Sequence, residues 1–238
     1  MVGIASFNIG DPPELWEELG FVVDDGCVWV SGICHRLNAA GQGIVSWSLR
    51  GLSSLTELPL AEDAPDFRPN PRHPNGVIAL DHVVIVTPDL ERTVSAFERQ
   101  GIPLRRTRQV GTTERPNTQA FFRLGDAIVE VVGNSRRADP GEARFYGLAF
   151  TVEDLDATAS YLGRRLRPPK PAVQPGRQIA TLDRSVGSQV PLAFMSPPTS
   201  MRGRREPREL AKPGSANLLA PDYGLTSRLT RRQDRGDA

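Results

Sequence analysis

One feature constrains this 238-residue chain more than any other: it repeats itself. The run from His82 to Glu91 aligns without a gap on the run from Gly147 to Asp156. In both, an apolar stretch stops at an acidic turn, Thr87-Pro88-Asp89 in one and Glu153-Asp154 in the other. Apolar residues then recur at helical spacing, Leu90, Val94 and Phe97 against Leu155, Ala159 and Leu162. Thr87 as N-cap, Pro88 at the first helical position, and Asp89 with Glu91 in the first turn predict a helix start. Each repeat therefore reads as a strand feeding an amphipathic helix, and the apolar stripe of such a helix must be covered by a sheet.

The residues downstream supply that sheet. Ile102 to Val110, Asn117 to Leu124 and Ala127 to Val132 read as three strands, punctuated by Gly111 and by Gly125-Asp126. After the second helix a Pro-rich crossing from Arg167 to Pro175 precedes strands at Gln178–Leu182 and Val190–Met195. The pattern is βαβββ twice. A shorter copy opens the chain, with a strand at Gly3–Ile9, a capping box from Asp11 to Glu14, Leu15 and Leu19 on one helical face, and β-rich runs at Cys27–Leu37 and Ile44–Leu49.

The expected organisation is a degenerate first module at 1–52, a linker at 53–76, a two-module domain at 77–197 (modules 77–134 and 144–197) and a tail at 198–238. The linker carries Pro59, Pro65, Pro69, Pro71 and Pro74, and His73 inside it reads as an exposed bystander. The tail holds nine Lys/Arg against five Asp/Glu from Met201 on, within a chain of net charge +1. It reads as a disordered, solubilising segment. With Tyr223 its lone aromatic, it lacks the stacking platform that nucleic-acid binding uses. No signal-peptide pattern and no apolar run near the roughly 20 residues of a membrane span occur, so a cytoplasmic protein without nucleic-acid or membrane partners is expected. Cys27 and Cys34 are then reduced. Structural zinc needs four ligands in two close pairs, so Cys27, Cys34 and His35 read as packing residues in strands. Trp16, Trp29 and Trp47 read as the core of the first module.

The stretch from Leu80 to Val86, followed by Pro88-Asp89-Leu90 and later by Ala120 to Val131, resembles the glyoxalase/bleomycin-resistance/extradiol dioxygenase (vicinal oxygen chelate) superfamily. The resemblance covers Val77–Ser196 well and Met1–Leu52 weakly. It implies an α+β fold of repeated βαβββ modules, whose curled mixed sheets enclose a cavity with the helices outside. It also implies a small-molecule ligand, and in metal-dependent relatives each module supplies one ligand from its first strand and one from its last.

By that resemblance His82 and Glu130 are the first- and last-strand ligands, and imidazole with carboxylate suits a divalent cation. Strand alternation places each among apolar neighbours, so a buried Glu130 needs a partner. The second module lacks its half: Gly147 falls opposite His82 in the repeat and Ala193 opposite Glu130. Three readings stay open: a bonded pair that packs the cavity wall, an acid/base pair that orients a ligand without metal, and a divalent metal completed from outside the chain. Arg123 is a further ligand-binding candidate. The leading expectation is a protein that binds, and in one reading transforms, a small organic metabolite or xenobiotic, with an incomplete metal site and no resident cofactor. A metal-dependent lyase, isomerase or dioxygenase is the alternative, and a non-catalytic interaction protein the second. Whether it is an enzyme stays open. An unpaired first module predicts a homodimer through that module. If the repeat alignment sets the geometry, Gly147→His with Ala193→Glu should complete a metal site of two histidines and two carboxylates.

Overall fold

A computed structural model describes residues 2–198 except 56, 63, 114 and 115. The basic tail expected at 198–238 lies almost wholly outside the described residues. The described elements are β1 (Gly3–Ile9), α1 (Pro13–Glu18), β2 (Cys27–Val30), β3 (Ile33–Arg36), β4 (Ile44–Arg50), β5 (Val77–Val86), α2 (Leu90–Arg99), β6 (Arg106–Gly111), β7 (Pro116–Leu124), β8 (Ala127–Gly133), β9 (Arg144–Val152), α3 (Leu155–Leu162), β10 (Lys170–Pro171), β11 (Gln178–Thr181) and β12 (Leu192–Met195).

The two repeats fold as their sequence periodicity requires. In the first, β8 returns parallel to β5, and β7 and β6 follow antiparallel. In the second, β12 returns parallel to β9, and β11 and β10 follow. The modules then join edge to edge, β5 antiparallel to β9, into one eight-stranded sheet of order β10-β11-β12-β9-β5-β8-β7-β6. This joint leaves the first strand of each module at the centre of the sheet, where both of its edges are paired.

Helix α2 begins two residues later than the sequence reading places it, and α3 begins at the acidic turn expected for it. Asp89, not Thr87, caps α2, accepting from the Arg92 N–H at 3.0 Å, while Thr87 bonds the Thr93 hydroxyl at 2.8 Å. Asp154 caps α3 through the N–H groups of Asp156 and Ala157. The carboxylate at each position reaches free amides of the first turn, which a preceding threonine followed by proline does not. On α2, Leu90, Thr93, Ala96 and Phe97 are buried, and Phe97 stacks on Phe122 with ring centroids 4.6 Å apart.

The first module departs from the βαβββ expectation. β3, rather than the last strand, lies parallel to β1, and β4 crosses to the far edge of β1 and runs antiparallel to it, giving the order β2-β3-β1-β4. β4 therefore holds the place beside β1 that β9 holds beside β5. Nor does a capping box start α1: Pro12 is the N-cap, and Asp11 is buried, accepting from the Trp16 indole and from Ser188 and Gln189 far along the chain.

A single apolar cluster joins both sheets. Phe7 and Trp47 meet Phe145, Trp47 meets Phe97, and Trp16, Phe21 and His35 meet Phe150. The four-stranded sheet thus covers the outer face of the eight-stranded sheet beside α2 and α3. The apolar face of the first module is thus buried inside the chain. The Pro-rich segment is also packed: Leu55 and Leu58 join the core, and His73 is buried rather than exposed. The Val22 N–H donates to His73 Nδ1 at 3.0 Å, and Nε2–H donates to the Trp29 carbonyl at 3.1 Å, so the imidazole ties this segment to the first module. No helix among the described residues is long and apolar enough to cross a membrane.

Candidate functional site

β5 turns Val83 and Ile85 to the core, which leaves His82 on the inner face of the sheet, away from the helices. Alternation would send Asp81 to the opposite face. A register shift between Leu80 and His82 breaks the alternation, because Leu80 pairs with Phe150 and His82 with Ala149, which are adjacent on β9. The extra residue is Asp81, and the bulge brings its carboxylate onto the His82 side. His82 Nδ1–H donates to Asp81 Oδ1 at 2.8 Å.

Asp81 is held in turn. Its Oδ2 accepts from the Arg177 guanidinium at 2.7 Å and from the Thr151 hydroxyl at 3.1 Å. Arg177 also donates to the Ser196 carbonyl at 2.8 Å and to Thr151 at 3.2 Å. This ion pair is buried on both sides, and a buried pair survives only when further hydrogen bonds satisfy its remaining polar atoms, as these do. Burial pulls the Asp81 pKa upward, but the His82 hydrogen bond and the charges of His82 and Arg177 hold it down at about 2. Asp81 is therefore an anion.

On its other side, His82 Nε2 lies 3.9 Å from Glu130 Oε2. That separation exceeds a hydrogen bond, so a polar atom between the two would meet both. Glu130 finds the partner its burial demands in Gln119, whose Nε2 donates to Oε1 at 2.5 Å; the Gln119 Oε1 has no partner among the described residues. Burial disfavours the His82 cation, yet the Asp81 hydrogen bond and the charges of Glu130 and Asp81 outweigh it and the opposing Arg177, raising the pKa above its ordinary value. With Nδ1–H committed to Asp81, Nε2 is the atom that can give or take a proton.

His82 and Glu130 thus come together, as the resemblance implies. Arg123 does not join them: it is exposed, donating to the Gly125 carbonyl and pairing with Asp126. Sequence reading passed over Asp81, Arg177, Gln119 and Thr151. The adjacent Asp81-His82 pair was a signal for the first, but alternation argued against it. Arg177 sits in an irregular Pro-rich stretch where no periodicity operates.

The second half of a metal site is closed as well as missing. The register places Leu192 opposite Leu148 and Val129 opposite Val83, so Ala193 is the counterpart of Glu130, as the repeat implies. At Gly147 a β-carbon would lie 2.4 Å from the Pro191 carbonyl oxygen and 3.1 Å from Pro191 Cβ. That carbonyl accepts from the Leu148 N–H at 3.0 Å, so it cannot move aside without opening the β9–β12 pairing. A histidine at 147 has no room, and the expectation that Gly147→His with Ala193→Glu completes a metal site is overturned. No group of three His, Cys, Asp or Glu that would hold a metal ion occurs among the described residues. The donors among the described residues do not by themselves fit a held metal ion.

A family model described as the Glyoxalase/Bleomycin resistance protein/Dioxygenase superfamily matches residues 81–180. Among solved structures, a triple mutant of 4-hydroxymandelate synthase from Streptomyces coelicolor is similar at 13% identity, covering 82% of this chain and 92% of that one, with a TM-score of 0.55. Methylmalonyl-CoA epimerase from Mycobacterium tuberculosis is 19% identical, over 53% of this chain and 92% of that one, with a TM-score of 0.41. No curated protein matches the chain. At these identities the likeness concerns fold and not chemistry. The family match thus falls within the paired βαβββ modules, and the fold there is that of the glyoxalase/bleomycin resistance protein/dioxygenase superfamily.

Proposed function

We propose that this protein binds a small organic molecule on the inner face of the eight-stranded sheet, and that His82 exchanges a proton with it, with no metal held by the chain. The observation that carries the proposal is the gap between His82 Nε2 and Glu130 Oε2, 3.9 Å wide, with Asp81 holding the far side of the ring. Such an arrangement fixes the imidazole tautomer and orientation, which a proton-transferring histidine requires. Glu130 provides an acceptor on the same side, so a ligand hydroxyl, amide or activated C–H placed between the two meets a base and an anion together. The neighbouring positions Ala149, Ile179 and Met195 form a small buried apolar cluster against which Ala193 packs, an apolar backing for the carbon skeleton of such a ligand.

Ligand-observed NMR with a library of small carboxylic acids, phenols and amides tests this. Binders are expected for the parent, with binding lost in folded His82→Phe and weakened in Glu130→Gln, and elemental analysis after dialysis should find well under one equivalent of transition metal. Binders that persist undiminished in both variants would remove His82 and Glu130 from the site. A stoichiometric metal surviving dialysis would instead favour the metal-dependent lyase, isomerase or dioxygenase reading.

A further inference from the structure

The two cysteines lie on the hairpin of β2 and β3. The hairpin turns through Ser31 and Gly32, both with positive φ, so Val30 pairs with Ile33, Trp29 with Cys34 and Cys27 with Arg36. Cys27 and Cys34 are then diagonal neighbours on one face of the two strands. Their sulfurs are 2.7 Å apart, with the Cys34 S–H directed at Cys27 Sγ. A disulfide bond is about 2.05 Å long, so the two atoms need close by only about 0.7 Å to bond. Exposure divides the roles: Cys27 is partly open to solvent and Cys34 is buried.

We propose that Cys27 and Cys34 form an oxidisable dithiol whose reactant is a hydroperoxide. Cys27 attacks as the thiolate. The Cys34 hydrogen bond, opposed by burial but aided by Arg36, holds its pKa down to about 7, whereas the same hydrogen bond and burial push Cys34 up. The Cys27 sulfur takes the terminal oxygen of the hydroperoxide, the O–O bond breaks, and the alcohol leaves after gaining a proton. This gives a sulfenic acid at Cys27. The Cys34 sulfur then attacks the sulfenyl sulfur, its proton goes to the departing hydroxyl, and water leaves as the S–S bond forms. Two thiols are oxidised by two electrons in total, and one hydroperoxide is reduced to alcohol and water. The product cross-links β2 to β3, the strand that carries His35 against Phe150 of the larger sheet.

Hydrogen peroxide is the probe, with intact mass spectrometry and dimedone trapping as readouts. The full-length parent is expected to lose two hydrogen atoms and both titratable thiols, reversibly with dithiothreitol, with no lasting dimedone adduct. Cys34→Ser should accumulate a dimedone adduct at Cys27, and Cys27→Ser should react at least about tenfold more slowly than Cys34→Ser, since it keeps only the buried thiol, out of reach of the peroxide. Thermal melting shows that each variant is folded before it is oxidised. If the parent instead gains oxygen at Cys27 without forming the cross-link, or if Cys27→Ser reacts as fast as Cys34→Ser, the proposal fails.

Discussion

His35 should make the protein lose stability as the pH falls from about 6.5 to about 4. Its ring is fully buried where the two sheets meet, with ring centroids 5.5 Å from Phe7, 6.1 Å from Trp16 and 5.5 Å from Phe150. Nδ1 pairs with the Val28 carbonyl at 3.1 Å, so it carries the proton, and Nε2 has no partner among the described residues. A second proton would place an unpaired cation in that core. Burial accordingly depresses the pKa to about 4, against 6.5 for a free imidazole, and the Val28 and Ile33 backbone groups only partly offset it. Between those values the unfolded chain binds a proton that the folded chain refuses. The contribution is therefore complete above pH 6.5 and is lost as pH falls to the folded pKa. At about 1.36 kcal/mol per unit the whole window is worth about 3 kcal/mol, of which about 2 kcal/mol falls between pH 7 and pH 5. His73, also depressed by burial, adds in the same direction. His82, with a raised pKa, contributes the opposite slope, present below 6.5 and lost as the pH rises through its folded value. Urea denaturation of the parent and of His35→Phe at both pH values isolates the effect, because a phenyl ring fits the same aromatic surroundings and does not titrate. The variant should lose about 2 kcal/mol less than the parent on going from pH 7 to pH 5. Identical losses in parent and folded variant would show that His35 is not a protonation-resistant core group.

Asp81→Asn leaves Arg177 buried without its anion and should destabilise the fold by about 3–5 kcal/mol. In the folded fraction the NMR titration of His82 should move to lower pH; an unmoved titration would mean that Asp81 is not what favours the His82 cation. Gly147→Ala should cost about 1–3 kcal/mol and lower the melting temperature, since its β-carbon meets the Pro191 carbonyl, whereas Gly3→Ala, with open space around it, should change little. Equal melting temperatures for the two variants would show that the space at Gly147 is not closed.

Much of the fold is local, and for that reason it is legible in the sequence. Strand and helix periods at His82–Glu91 and Gly147–Asp156 specify which faces are apolar, and a strand that enters a helix and returns has few ways to rejoin its own sheet. The two complete modules follow from that logic, whereas the meeting of His82 with Glu130 is what the family resemblance implied. Even the two missing ligands were readable, because Gly147 and Ala193 stand where the repeat puts them.

Tertiary structure decided what periodicity cannot carry. A one-residue bulge overrides alternation, and it brought Asp81, which alternation would send to the face of Val83 and Ile85, round to become the anion behind His82. Arg177 reaches that anion from an irregular segment, and no local pattern records a contact between residues so far apart in the chain. His73 appeared solvated in a Pro-rich stretch, yet its two ring nitrogens meet two backbone groups that only folding brings to it. In the first module, β3 took the place beside β1 that the last strand holds in the complete modules, and β4 took the far edge, an order that the β-rich runs alone do not specify. The space at Gly147 was filled by the carbonyl of Pro191, a backbone atom with no side-chain signature. Sequence by itself determined which residues face one another within a module; packing between modules determined which of them acquired a charge partner, a hydrogen bond or a closed door, because those depend on distances that the chain acquires only when the sheets meet.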